Sequence, residues 1–177
     1  MKINIPIAKV DLNKHEINSV LEPLKNGWLV QGPKVKEFEK KWSSFTKSKF
    51  SIAVTSCTSA LQLSLIALGF KPGDEAIVPA FTWISTANVV EQLGGKVIFC
   101  DISLDSFNID YQQIEKKITS KTKFIIPVHL FGFPAEMFEI LKIAKKYNLK
   151  IVEDAACGFG TKIYENHVGL FGDTGGF

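Results

Sequence analysis

The sequence predicts an α/β fold, a mostly parallel sheet with helices on both faces, and three observations carry that expectation. Strand-like segments are followed by helix-like segments four times from Phe50 onward. One of those helices, CTSALQLSLIALG, is apolar almost all round, the pattern of a helix that is buried. The chain has 177 residues, 46% of them hydrophobic and 22% charged, enough for one sizeable core. No internal repeat or low-complexity linker interrupts it.

NKHEINSVLEPLKNG reads as a first helix, capped by Asn13 or Asp11 and ending near Gly27, with Pro23 expected to shorten or kink it. A loop rich in large side chains, GWLVQGP, follows. Pro33 then opens a second helix that carries Val35, Phe38, Trp42 and Phe45 on one face. These two helices form an arm over residues 1–48, and residues 49–177 form an α/β domain.

In that domain FSIAVT is expected as a strand and CTSALQLSLIALG as a buried helix. After the turn KPGDE come strand EAIVPA, helix TWISTANVVEQLG, strand KVIFCD and helix IDYQQIEKKI. Strand KFIIPVHLFG, helix PAEMFEILKIAKKYN with its proline at the start, and strand KIVEDAA complete the alternation. The glycine-rich tail CGFGTKIYENHVGLFGDTGGF reads as strands and turns without a capping element, so the expectation is an incomplete domain.

Composition excludes several functions. A net charge of +3, with no basic block longer than two lysines, gives nucleic acid no footprint. All 21 cationic residues are lysines, so no guanidinium fork can clamp a carboxylate or phosphate, and an anion must rely on amides, hydroxyls or lysines. Cys57, Cys100 and Cys157 lack metal-ligand spacing and read as reduced thiols. The polar start MKINIPIAKVDLNK does not resemble a signal peptide, and no apolar run reaches membrane-spanning length. A soluble cytoplasmic protein is expected.

Open parallel sheets bind ligands beyond the carboxyl ends of their strands. That rule gathers TSCTS, PAFTW, PVHLFG and EDAAC at one rim. In TSCTSA a helix begins at Cys57 with Ser56, Thr58 and Ser59 about its first turn: an anion site, or simple capping by residues that favour helix starts. Trp83 either packs into the core or offers a flat face at the rim. Asp154, at a buried strand tip, needs a cation or several donors, since a lone buried charge is costly. Glu153 points to the other side of the strand. A metal is a poor partner without a His or carboxylate cluster; a protonated ring nitrogen is a better one. Phosphate cradle, aromatic plate and unpaired aspartate together suit pyridoxal phosphate, whose protonated pyridine nitrogen serves as an electron sink.

The motifs GWLVQGPKVKEFE, AVTSCTSALQLSLIALGFKPGDE, VPAFTWISTAN, TKFIIPVHLFGFPA, IVEDAACGFGTKI and HVGLFGDTGGF fall in order from about Ile5 to Phe177. In these the chain resembles the DegT/DnrJ/EryC1/StrS sugar aminotransferases, pyridoxal phosphate enzymes of fold type I. The resemblance implies the large domain of that fold, truncated. It implies that Cys57 (through its backbone), Thr58 and Ser59 hold the cofactor phosphate, Trp83 stacks on its ring, and Asp154 pairs with its nitrogen. Cys157 stands where relatives carry Gln or His toward the ring hydroxyl, and a thiol is a weak partner there. Trp28 and Gln31 correspond to a segment near the substrate and the subunit boundary.

The resemblance further implies transfer of an amino group from L-glutamate to a keto carbon of a nucleotide-linked deoxysugar, by a homodimer. The Schiff-base lysine lies beyond GDTGGF, so this stretch by itself is expected to be inactive. Three alternatives stay open: a sugar dehydratase of the same family with histidine at the lysine position, a non-catalytic fragment, and a nucleotide-binding Rossmann domain. The last is weakened because TSCTSA lacks G-x-G-x-x-G spacing. His15 lies on a polar helix and His167 in a turn; His129 either lines the rim or is satisfied in the core.

Overall fold

The computed structural model describes residue 6 and residues 9–177; the other amino-terminal residues of the expected arm and of the polar start lie outside the described residues. The elements are α1 (Lys14–Lys25), α2 (Pro33–Thr46), α3 (Cys57–Ala67), β1 (Glu75–Pro79), α4 (Ser85–Gln92), β2 (Lys96–Cys100), α5 (Tyr111–Lys117), β3 (Thr122–Ile125), α6 (Met137–Tyr147), β4 (Lys150–Asp154), β5 (Lys162–Ile163), β6 (Asn166–His167) and β7 (Thr174–Gly176).

Five strands form one sheet in the order β2-β1-β3-β4-β7, each neighbouring pair parallel. Side chains alternate across it, as the pleat requires. On one face Ala76, Val78, Phe124, Ile126 and Val152 pack with Leu61 and Leu65 of α3 and Val89 and Val90 of α4. On the other, Ile77, Ile125 and Ile151 pack with Ile114 of α5 and Met137, Ile140 and Ile143 of α6. Helices therefore cover both faces. The crossovers bring the turns after β1, β3 and β4 to one edge, together with the start of α3.

α1 opens with a capping box: Asn13 accepts from His15 N–H at 2.7 Å, and Glu16 reaches back to Asn13 N–H at 2.8 Å. Pro23 does not end this helix, which runs two residues further, to Lys25. α2 starts at Pro33 as expected, and its aromatic face folds onto the tail. Trp42 packs 5.0 Å from Phe177 and 5.1 Å from Phe159, between ring centroids, and Phe45 packs 4.8 Å from His167.

Four expectations need correction. FSIAVT is not a strand: among the described residues no backbone hydrogen bond pairs 50–55 with a neighbour, and Ala53 N–H donates to Glu39 Oε1 at 2.9 Å instead. Its residues suit a strand, but a strand needs a ladder partner, and without one Phe50 and Ile52 are exposed. Helix α3 is only half buried; Leu61 and Leu65 face the sheet while Leu63 and Ile66 face outward.

β3 stops at Ile125, and the chain beyond it turns through a short 3-10 segment, Leu130–Gly132, in which Phe131 takes a left-handed φ of 54°. Asn108 holds this turn, its Oδ1 accepting from Leu130 N–H and its Nδ2 donating to Phe133 O. The helix after it begins at Met137 rather than at Pro134.

Candidate active site

Asp154 closes β4 and is 4% exposed. β4 carries it there because Ile151 and Val152 bury on opposite faces, one residue out of phase. Parallel pairing with β7 sets Asp154 beside Gly176, and its backbone is tied to the turn after β3 through Pro127 O and His129 N–H. Its carboxylate accepts from Thr86 Oγ1 at 2.7 Å on Oδ2, and from Ala156 N–H at 3.2 Å and Cys57 Sγ at 3.7 Å on Oδ1. Among the described residues no lysine or histidine forms an ion pair with it.

The donors come from two helices. Cys57 is the first residue of α3. Burial, first, and then the Asp154 charge push its thiol up to about 12, so it stays protonated and able to donate. Thr86 lies in the first turn of α4, fully buried. Its oxygen also lies 3.2 Å from Thr82 Oγ1 and 3.1 Å from Trp83 O. A hydroxyl carries one proton, and the short contact to a charged oxygen claims it, leaving Thr86 to accept from Thr82.

At the start of α3, Ser56 caps Ser59 N–H, so one of the predicted phosphate-facing amides is already occupied. The N–H groups of Cys57 and Thr58 have no acceptor among the described residues. Thr55, Ser56 and Ser59 hydroxyls cluster within 3.1 Å of one another through Ser59, and Thr58 Oγ1 donates to Ser85 Oγ at 2.9 Å. Two free amides, the positive end of a helix and these hydroxyls could receive an anion without an arginine.

Trp83 precedes α4 and is 77% exposed, so of its two readings the structure takes the rim and not the core. Cys157 is exposed and makes no hydrogen bond through its thiol among the described residues. Trp28 and Gln31 are not drawn into this cluster by any described hydrogen bond. Trp28 Nε1 donates to Gln31 O at 3.1 Å, and the indole lines a cavity of about 140 Å³ with Glu22, Pro23, Val30 and Lys34.

The profile of the DegT/DnrJ/EryC1/StrS aminotransferase family matches residues 10–177. The chain belongs to this family. The spore coat polysaccharide biosynthesis protein SpsC of Bacillus subtilis is 40% identical over 173 residues, covering 98% of this chain and 44% of SpsC. The PLP-form of the putative sugar aminotransferase Spr1654 from Streptococcus pneumoniae superposes with a TM-score of 0.90 at 34% identity, covering 97% of this chain and 47% of that one. The E. coli GDP-4-keto-6-deoxy-D-mannose-3-dehydratase with bound hydrated PLP superposes equally well, TM-score 0.90, at 31% identity over 97% of this chain and 46% of that one. This chain therefore has the α/β fold of these enzymes and spans less than half the length of these relatives.

In this member of the DegT/DnrJ/EryC1/StrS family, sequence reasoning left Thr86, Thr82 and Glu153 without a role. Thr82 and Thr86 are four apart across the start of a helix, a spacing that brings two hydroxyls together. Only the distant strand tip makes that pair meaningful. Glu153, fully buried on the opposite face of β4, accepts from the N–H groups of Gly169, Phe171 and Gly172 at 2.6–2.8 Å and from His129 Nε2 at 2.9 Å. His129 is accordingly a satisfied core residue. His167, expected in a turn, is buried in β6 against Phe45.

Proposed function

We propose that this chain is the cofactor-holding part of a pyridoxal-phosphate-dependent aminotransferase, one that moves an amino group from L-glutamate to a keto carbon of a nucleotide-linked deoxysugar. The observation that carries the reading is Asp154: a buried carboxylate, ringed by neutral donors, that no cation among the described residues neutralises. Such a group is stable beside a protonated heterocycle and costly without one.

The residues present fit the cofactor. Thr58, Ser59 and the free amides of Cys57 and Thr58 would receive its phosphate, and exposed Trp83 would cover its ring. Asp154 would hold the proton on the ring nitrogen. No other carboxylate or histidine hydrogen-bonds Asp154 among the described residues, which suits a single ring cation better than a metal. Bound there, pyridoxal phosphate supplies an electron sink for the carbon that loses its proton.

Cys157 would sit toward the ring hydroxyl as a weak donor, and Trp28 and Gln31 would lie near the substrate. The lysine that links the cofactor would follow Phe177, and the active unit would be a homodimer. The chain would divide into an arm over residues 1–48 and a domain over residues 49–177, with α2 of the arm against the tail of that domain.

The test is to titrate the full-length protein with pyridoxal phosphate and then with L-glutamate. A visible absorption band, bleached by glutamate and restored by a keto sugar nucleotide, supports the reading. Absence of any protein-bound band once the free cofactor has been removed overturns it.

A second reading rests on the equal superposition of the E. coli dehydratase. It keeps the same cofactor and the same role for Asp154, and it differs at the position of the linking lysine, where a histidine, unable to form that Schiff base, would stand. Loss of a sugar hydroxyl as water, without incorporation of glutamate nitrogen, would decide for it.

A further inference from the structure

Resting on the cofactor reading above, we infer that Thr86 is a positioning residue: its hydroxyl aims and steadies Asp154 against the cofactor's ring nitrogen. The geometry singles it out. Of the three donors to the carboxylate among the described residues, Thr86 Oγ1 is the nearest, at 2.7 Å, and it alone of these reaches Oδ2, while Ala156 N–H and Cys57 Sγ share Oδ1 at 3.2 and 3.7 Å. A thiol at 3.7 Å is a soft restraint; a short hydroxyl–carboxylate bond is a firm one.

Thr86 is itself held from two sides. Its N–H donates to Trp83 O at 3.2 Å, and its oxygen accepts from Thr82 Oγ1 at 3.2 Å. Two hydroxyls in series, Thr82 to Thr86 to Asp154, polarise one another toward the carboxylate. The side chain is fully buried, so water cannot take over the bond when the hydroxyl is removed.

The location couples two functions. Trp83, the exposed plate, stands three residues before Thr86 on the same helix start. Ser85, between them, accepts from Thr58 of the anion cradle at 2.9 Å. The start of α4 thus links ring face, phosphate site and ring-nitrogen partner. A shift of this one turn would misalign all three.

The experiment uses the full-length protein and two ligands: pyridoxal phosphate and its analogue with the ring nitrogen replaced by carbon. Thr86→Val keeps the shape and removes the hydroxyl; Thr86→Ser keeps the hydroxyl and trims the methyl. Affinities are read for both ligands on the same preparations, so any misfolded fraction cancels in their ratio. The positioning role predicts that Thr86→Val weakens pyridoxal phosphate about tenfold relative to the carbocyclic analogue, the scale of one hydrogen bond to a charged group. Thr86→Ser should restore the wild-type ratio whatever it does to stability.

Equal loss for both ligands would reduce Thr86 to a packing residue and overturn the inference, as would no loss for either. Wild-type protein that binds neither ligand would instead sink the cofactor reading itself.

Discussion

His129 Nε2 lies 2.9 Å from Glu153 Oε2, with both side chains fully buried. The ring's other nitrogen, Nδ1, accepts from Ala135 N–H at 3.1 Å and so carries no proton. The proton must sit on Nε2, and the pair is a neutral imidazole donating to a carboxylate. Three backbone amides of Gly169, Phe171 and Gly172 complete the shell, so Glu153 fastens the loop that leads into β7. β7 in turn runs alongside Asp154.

Glu153→Gln should therefore destabilise the fold despite near-identical shape. The carboxamide nitrogen would face donors and leave at least one of them unpaired. A loss of about 2–3 kcal/mol in urea unfolding is expected. An unchanged midpoint would mean that the loop does not depend on this shell.

Gly175 pairs with Glu153 in the same ladder, and a methyl there would press on the backbone of Gly169 well inside van der Waals contact. Backbone cannot swing aside as a flexible side chain does. Gly175→Ala should cost about 1–3 kcal/mol, checked by the thermal midpoint; a wild-type midpoint would contradict the packing described.

Thiol chemistry distinguishes the three cysteines. Burial pushes Cys57 up to about 12 and Cys100 up to about 11, and Cys157 alone is exposed. At about pH 8 little of Cys57 is therefore present as thiolate. Brief treatment with iodoacetamide should label Cys157, read by peptide mass spectrometry, and spare the other two. Early labelling of Cys57 would contradict its place under Asp154.

Burial, followed by the charges of Lys162 and Lys47, lowers the pKa of His167 below its ordinary 6.5. Its folded state thus resists protonation that the unfolded state accepts. The associated stability is fully present above pH 6.5 and is lost as pH falls through the folded value. Acidification below that point should weaken the protein, and His167→Phe, which preserves a ring against Phe45, should lose less. Equal acid sensitivity in both proteins would rule out this histidine as a source.

The sheet, its two helical faces and the rim were legible in the sequence because alternation of short apolar runs and amphipathic segments reports burial directly. Asp154 and the α3 start stood out for the same reason: charge and hydroxyls break the apolar pattern where strands end. Non-local pairing was not legible. FSIAVT has strand residues yet no ladder partner among the described residues, α3 has apolar residues all round yet one buried face, and Trp83 could not be assigned to rim or core. Thr86 and Glu153 remained silent because their partners lie 68 and 16–24 residues away in the chain.

The role proposed for Asp154 is to keep a proton on the ring nitrogen of bound pyridoxal phosphate. Pyridoxal phosphate labelled with ¹⁵N in the ring, bound to full-length wild-type protein and to Asp154→Asn, tests it by NMR. A protonated nitrogen in the wild type and an unprotonated one in the variant is the predicted result. The same protonation state in both proteins would contradict the account.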